Sequence, residues 1–188
     1  MPDQPQPWET IARRKVLDRH PWLTVWSEDV RLPGGQVIPD FSTVEMPDYV
    51  IVVALTADNL VVTERNYKHG PRRVGLHLPA GYLEPHEDPL AAAQRELREE
   101  TGYAATEWQA LGAFASDGNR GGGTGHLFLA RHAQLVTAPD AGDLEELVIL
   151  TLPLDRLLAA TRTGEINVVS TAAAVGLAAA ALRTPEPR

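Results

Sequence analysis

The sequence predicts a fold of both strands and helices, because its 188 residues contain segments typical of each. Asp48–Thr56 contains a continuous apolar run with the length and composition of a central strand buried on both faces. A charged helix is expected after the loop that begins at Pro79, and an Ala-rich helix at Val168–Leu182 is expected to cover the sheet. A chain of this length can form one domain with a full core.

Composition excludes several classes of function. The chain carries 25 acidic and 17 basic residues, a net charge of −8, which disfavours nucleic acid because that partner requires a basic face. The absence of cysteine excludes disulfides and thiolate chemistry. No apolar run reaches the length of a membrane span and no signal peptide is evident, so we expect no membrane partner and a cytoplasmic location. An acidic site binds a pyrophosphate only if metal ions reverse the local field.

The chain before Asp48 is expected to be an extension made of strands. A polar, Pro-rich tail precedes extended segments at 8–17 and 22–32, and Pro33-Gly34-Gly35 favours a tight turn into a third segment at 36–46. The remaining elements expected after the central strand are strands at 60–67, 104–116, 126–134 and 147–152, and a helix at 153–163 ended by Gly164.

Residues 79–103 carry the strongest local signals. Asp88 is a good N-cap, and Pro89 fits the first helical position because its missing N–H would have no partner there. Gly102 favours a C-terminal stop. At 100° per residue one arc of this helix carries glutamates and another carries apolar residues, namely Glu96, Glu99 and Glu100 against Leu90, Ala93 and Leu97.

These glutamates conflict with the local preferences of a helix. Glu96 and Glu100 are like charges four residues apart, which costs about 0.2–0.5 kcal/mol. Both also lie toward the negative end of the helix dipole, where cations are preferred. A divalent cation would compensate, and carboxylate oxygens suit Mg²⁺ or Mn²⁺. The alternative is a solvated acidic face without a ligand.

The spacing around the glutamates is specific. Gly81, five residues, Glu87, seven residues and then Arg95-Glu96-Leu97-x-Glu99-Glu100-x-Gly102-Tyr103 resembles the signature of the Nudix hydrolases at every fixed position. The resemblance implies an α/β (α+β) sandwich with a central mixed sheet between helices, preceded here by an antiparallel hairpin module. It also implies metal-dependent hydrolysis of a nucleoside diphosphate linked to another group. Tyr103 stands where relatives often have an aliphatic residue.

The same resemblance implies roles for single residues. Arg95 would pair with Glu99 and fix its rotamer, Glu87 would brace the loop against the helix, and Gly81 would let the backbone approach the metal. Glu99 and Glu100 are also candidates for catalysis. The implied metal ligands are the Ala80 carbonyl, Glu96 and Glu100, with Glu99 as a ligand or a close neighbour of one.

A second acidic segment, 137–146, precedes the strand expected at 147–152. In related pyrophosphatases a loop at this point supplies a further metal ligand and a carboxylate that acts as general base. By register Glu145 matches the ligand, and Asp143 or Glu146 matches the base. The alternative is a solvated acidic loop.

Substrate contacts are expected from basic and aromatic residues. Arg65, Lys68 and Arg72 follow the strand at 60–67, in a stretch that resembles a phosphate-binding patch of related enzymes; a solvated loop is the alternative. Relatives commonly have Glu where His77 stands, so His77 receives no role.

Two further regions are candidates for substrate binding. The Gly-rich segment Asp117–Gly125 is expected to be a flexible loop, which could cradle phosphate with Arg120 in support or simply connect a hairpin. Trp26 and Phe41 could stack on a base, as in the N-terminal module of ADP-ribose pyrophosphatases, or could serve core packing.

The resemblance favours ADP-ribose or another ADP-sugar as substrate, with AMP and a sugar phosphate as products. It implies a homodimer, a 1–46 extension for dimerisation and base binding, a 47–183 hydrolase domain and a 184–188 tail. Alternative substrates are dinucleoside polyphosphates, nucleoside triphosphates and coenzyme pyrophosphates. A non-catalytic regulatory module is the other alternative, and the complete glutamate set argues against it.

Overall fold

The computed structural model describes residues 4–140 and 146–183. The helices of this part of the chain are α1 (Pro89–Thr101), α2 (Leu154–Thr163) and α3 (Val169–Arg183). Its strands are β1 (Glu9–Arg19), β2 (Leu23–Arg31), β3 (Val37–Glu45), β4 (Tyr49–Thr56), β5 (Leu60–Lys68), β6 (Arg73–His77), β7 (Ala80–Tyr82), β8 (Tyr103–Ala104), β9 (Glu107–Asp117), β10 (Gly121–Leu135) and β11 (Val148–Pro153). The expected α/β class, with a mixed sheet and helices, is confirmed. None of the described helices has the length and apolar character needed to cross a membrane.

The chain divides into two compact units, and the first comprises the chain up to Pro47 together with Ala115–Thr124. Strands β1, β2 and β3 form an antiparallel meander in this unit, and the start of β10 joins β3 in parallel at Gly121. Every residue of β1 is exposed. The expected turn closes at Leu32, whose N–H donates to the carbonyl of Gln36 over 2.8 Å.

The second unit contains the rest of the chain, and β4 is its central strand. β4 pairs in parallel with β10 and antiparallel with β5, and β11 pairs with the other edge of β5. The pairing between β4 and β5 covers only Ala54 and Leu55 on β4. Toward the other end of the two strands, β4 pairs with β7 and β5 pairs with β6, so the sheet splits into two branches.

The core of the second unit lies on both faces of β4, as the continuous apolar run predicted. One face contributes Ile51, Val53 and Leu55 to a cluster with α2 and α3, and the other contributes residues such as Val50 and Val52 to a cluster with α1. Val50, Val52 and Val53 are fully buried. This strand therefore holds the helices on opposite faces of one sheet.

The Gly-rich segment differs from the expected flexible loop. β9 continues to Asp117 and β10 begins at Gly121, so the connection is a tight hairpin. A Cβ at Gly121 would lie 2.8 Å from the Val44 carbonyl oxygen, and one at Gly123 would lie 2.5 Å from that of Pro47. The glycines are needed because their backbone packs directly against that of neighbouring residues.

Candidate active site

Helix α1 is built by local interactions, as predicted. The Asp88 carboxylate accepts hydrogen bonds from the N–H groups of Leu90 (2.9 Å) and Ala91 (3.2 Å). Gly102 ends the helix with a φ of 76°, and its N–H donates to the Arg98 carbonyl over 2.8 Å. Ala92, Ala93 and Leu97 are buried against the sheet. The caps and the buried face therefore fix the backbone positions from which the charged side chains of α1 extend.

Glu100 is the most buried glutamate of this helix, with 6% exposure. The Ala80 N–H donates to its Oε2 over 2.8 Å. Burial first, and then the negative charge of Glu64, raises the pKa of Glu100 to about 10. The three glutamates expected to share one arc of the helix therefore differ in burial. Glu100 is buried toward the sheet, whereas Glu99 is exposed.

Arg95 binds three carboxylates, and we call these four residues the Arg95 cluster. The Nε and Nη2 of Arg95 donate to the two oxygens of Glu87, each over 2.9 Å. Its Nη1 donates to Glu96 over 2.6 Å and to Glu99 over 3.2 Å. The hydrogen bonds from Arg95 lower the pKa of Glu87. The predicted contact between Arg95 and Glu99 is present, and Glu87 connects the loop to the helix.

Gly81 lies directly against Glu96. A Cβ at this position would be 2.1 Å from the Glu96 carboxylate, a separation that no real side chain accepts. Because the preceding residue, Ala80, donates to Glu100, the Glu96 and Glu100 carboxylates converge on adjacent residues of β7. This convergence places two hard oxygen donors beside one backbone segment.

The donor set fits a divalent cation. Carboxylate oxygens are the ligands that Mg²⁺ and Mn²⁺ prefer, and a cation would offset the burial of Glu100. Within residues 4–140 and 146–183, however, no three acidic or histidine side chains are already arranged around one point as they would be around an ion. Arg95 holds Glu96 and Glu99 instead, so binding of a cation would require Glu96 to exchange contacts with Arg95.

The described start of the second acidic segment lies against the end of α1, where the Asp140 N–H donates to the Glu99 carbonyl over 2.8 Å. Asp143 and Glu145 lie outside the described residues. Glu146 is exposed just before β11. The predictions of a general base and a further ligand in this segment stay predictions.

The basic residues predicted after β5 have different surroundings. Arg65 donates to the Glu165 carboxylate over 3.0 Å. Arg72 is exposed and has a φ of 55°. Lys68 is half-buried, and its positive charge acts on the Glu100 carboxyl. Of these three residues, Lys68 is the one whose charge bears on the glutamates of α1.

In the first unit, Trp26 and Phe41 also differ. The Arg13 guanidinium lies 3.8 Å from the centre of the Trp26 ring, so one face of this ring is covered. Phe41 makes an edge contact with Trp8, at 5.8 Å between ring centroids, and the Arg120 guanidinium lies 4.9 Å from its ring. Arg120 and Phe41 are therefore brought together.

Glu64 and His77 are buried polar residues that received no role from the sequence. Glu64 is 2% exposed and His77 is 3% exposed, and they are opposite each other in the pairing of β5 with β6. The sequence feature that could have indicated a role for Glu64 is its position in a strand, shortly after the apolar residues Val61 and Val62. A charged residue in such a run indicates a buried polar site.

The chain is similar to known proteins over most of its length. A NUDIX domain model matches residues 46–170. An ADP-ribose pyrophosphatase of Bacillus subtilis (strain 168) is 29% identical over 168 residues, which cover 89% of this chain and 90% of that protein. A methanol dehydrogenase activator of Bacillus methanolicus is 34% identical over 132 residues, covering 70% of this chain and 71% of the relative.

A third relative is a CMP-5'-(N-acetyl-N-hydroxy-3-aminopropyl)phosphonate hydrolase of Streptomyces rubellomurinus (strain ATCC 31215). It is 30% identical over 173 residues, which cover 92% of this chain and 81% of the relative. Among solved structures, an ADP compounds hydrolase superimposes with a TM-score of 0.81 at 20% identity, covering 96% of this chain and 97% of that one. The chain belongs to the Nudix hydrolase family, whose members generally use divalent metal ions.

Proposed function

We propose that the protein is a metal-dependent pyrophosphatase of nucleoside diphosphate sugars, with ADP-ribose as the first candidate and AMP and a sugar phosphate as products. The observation that carries the proposal is the complete Nudix signature, with Glu96 and Glu100 converging on residues 80–81. The names of relatives that span most of the chain support the substrate class.

Mg²⁺ is the proposed cofactor and Mn²⁺ the alternative. Glu96, Glu100 and the Ala80 carbonyl would hold it, with Glu99 and Glu145 as further candidates. When bound, such a cation would neutralise charge on the diphosphate and make a water molecule more acidic.

The chain's own residues would position the reacting groups. Arg95 keeps Glu96 and Glu99 in defined rotamers, which limits how far the carboxylates must move. Glu99, Asp143 or Glu146 would accept the proton of the attacking water. Lys68 is the strongest candidate for a phosphate contact because its charge already acts at Glu100. Arg72 is a weaker candidate, and Arg65 would first have to leave Glu165.

The role of residues 1–46 is a separate proposal. We assign dimerisation and base binding to this extension, and the hydrolase chemistry to 47–183. The neighbouring Phe41 and Arg120 favour them as base contacts over Trp26, whose ring is covered by Arg13. A cytoplasmic location likewise stays a proposal from composition.

The test is product analysis with a panel of nucleoside diphosphate sugars. We expect AMP and a sugar phosphate from ADP-ribose in Mg²⁺, no product in EDTA, and recovery when Mg²⁺ is restored. Hydrolysis in ¹⁸O water would show which phosphorus is attacked. Turnover that persists in EDTA, or no turnover of any ADP-sugar, would contradict the proposal.

A second candidate substrate class is a nucleoside monophosphate linked to a phosphonate. The relative from Streptomyces rubellomurinus, which aligns with 92% of this chain, favours this class. The panel should therefore include a CMP-linked phosphonate beside ADP-ribose. A higher kcat/KM for the CMP compound would replace ADP-ribose as the assigned substrate while retaining the same glutamates.

A further inference from the structure

A cavity of about 170 Å³ opens where the two branches of the split sheet separate. Glu64, Lys68 and His77 line it from the β5–β6 branch, and residues of β4 and β7 line it from the other. Ser170 and Thr171, in the first turn of α3, form a further part of the wall. The cavity is therefore a product of the strand pairing and of the helix that packs on it.

The cavity adjoins the metal-binding end of the proposed site. Ala80 belongs to its wall, and the Ala80 N–H donates to Glu100. The charges of Glu64 and Lys68, which also line the cavity, both act on the Glu100 carboxyl. A group bound in this cavity would thus lie next to the phosphates on which the site is proposed to act.

The walls combine polar and apolar groups. Glu64, His77 and Thr171 are each more than nine-tenths buried, at 2%, 3% and 5% exposure, and they supply carboxylate, imidazole and hydroxyl groups. Ile51 and Leu78 supply apolar surface. Such a wall suits a small ring with hydroxyl groups on its edge and C–H groups on its face, because the hydroxyls find partners and the C–H groups find apolar contact.

The size of the cavity limits what it can hold. Sites for whole drug-sized ligands measure about 300–1,000 Å³, so a cavity of about 170 Å³ accepts a fragment rather than a second nucleoside. We infer that this cavity receives the sugar ring carried by the distal phosphate, with Glu64, His77 and Thr171 as residues that determine specificity for that ring. The inference rests on the proposed function and specifies where the sugar half of the substrate would bind.

The experiment compares two substrates that share the scissile bond. ADP-ribose carries a sugar on its distal phosphate, whereas the methyl ester of ADP carries only a methyl group there. Thr171→Leu fills the cavity, and we expect it to lower kcat/KM at least tenfold for ADP-ribose and less than twofold for the methyl ester. The control is Val169→Leu, because Val169 is 82% exposed in the same helical turn and should change neither value.

A milder variant protects the test against misfolding. Thr171→Val keeps the volume and removes the hydroxyl, and we expect a threefold to tenfold loss for ADP-ribose only. Saturation-transfer NMR of the wild-type protein with ribose 5-phosphate should show contact with the sugar protons, and Thr171→Leu should abolish it.

Failure of this inference is distinguishable from failure of the proposed function. Equal losses for both substrates in folded variants, or unchanged values for ADP-ribose, would overturn the sugar assignment and leave the pyrophosphatase intact. If the wild-type protein hydrolyses neither compound, the proposed function fails. The NMR experiment then still decides whether the cavity binds a sugar phosphate.

Discussion

Two arginines at distant places in the chain each bind several carboxylates. They differ in the structural elements that carry those carboxylates. Arg13 of β1 contacts Glu28 of β2 over 2.9 Å and Glu45 of β3 over 2.7 Å, and it covers Trp26. We call these residues the Arg13 cluster. Its partners lie on strands that already pair, so the ion pairs add to a sheet whose backbone is in place.

The Arg95 cluster connects a loop to a helix. Arg95 is 23% exposed at its side chain, against 39% for Arg13, and it holds glutamates that are candidates for chemistry. Exposed ion pairs contribute only about 0–1 kcal/mol to stability. Similar ion pairs therefore join strands that already pair in the first unit and hold the candidate glutamates of α1 in the second.

The largest effect is expected for Glu100→Gln. Losing the buried carboxylate should reduce turnover by at least about 100-fold, as loss of a key electrostatic group does elsewhere. Glu45→Gln in the Arg13 cluster is the matched control and should change kcat less than about twofold. Steady-state kinetics with saturating Mg²⁺ measures both. Similar rates for the two variants would remove the distinction between the clusters.

The same Glu100 variant should change the pH dependence of stability in EDTA. In the folded protein the pKa of Glu100 is raised to about 10, so folding favours the neutral acid. The resulting contribution to folding stability is complete below the pKa of the unfolded state, near 4.5. That contribution declines as the pH rises from there through about 10. The Tm of Glu100→Gln minus that of the wild type should therefore increase from pH 5 to pH 9. A constant difference would contradict the assigned burial.

Gly81→Ala should produce the next effect. The new Cβ would displace the Glu96 carboxylate, so we expect kcat to fall about 10- to 100-fold. The Tm should change by only about 2 °C, because the displaced atoms are the end of a flexible side chain. Gly34→Ala is the control, since nothing lies within 4 Å of its added Cβ. A large loss of Tm in Gly81→Ala would instead indicate a role in folding.

Arg95→Lys should reduce kcat/KM by about tenfold, because lysine cannot reproduce the two hydrogen bonds to Glu87 together with those to Glu96 and Glu99. Arg13→Lys keeps the charge in the Arg13 cluster and should alter kcat/KM less than about twofold. The pair of variants tests the comparison directly. Equal effects would mean that Arg95 contributes charge alone.

The smallest effect is expected in the first unit. Phe41→Ala should raise KM for ADP-ribose about fivefold with little change in kcat, as expected for a base contact. Trp26→Ala should raise KM less, because Arg13 covers that ring. The reverse order would reassign base binding to Trp26.

Much of the structure around α1 was predictable. Asp88, Pro89 and Gly102 act on their immediate neighbours, and a central strand was evident from the apolar run that contains Val50 and Val52. The Gly-rich segment was predicted less well. Its composition suggested flexibility, whereas Gly121 and Gly123 are required by the close approach of neighbouring backbone at Val44 and Pro47.

Burial of the polar residues could not be predicted position by position. Glu64 and His77 meet because β5 and β6 pair, and Glu100 is buried because α1 packs its apolar face on the sheet. Helical periodicity places Glu96, Glu99 and Glu100 on one arc but does not say how deep each lies. Depth depends on what covers the helix, and that is a property of distant segments.

The amino-acid sequence alone was enough to identify the family, the ends of α1 and the spacing of its glutamates, because caps, periodicity and motif spacing act over a few residues. Tertiary contacts were needed to establish that Glu100 is buried, that the negative charge of Glu64 acts on it, and that the sheet splits to leave a cavity. Those properties depend on which distant strands pair and where they part. They set the electrostatic environment in which the glutamates act.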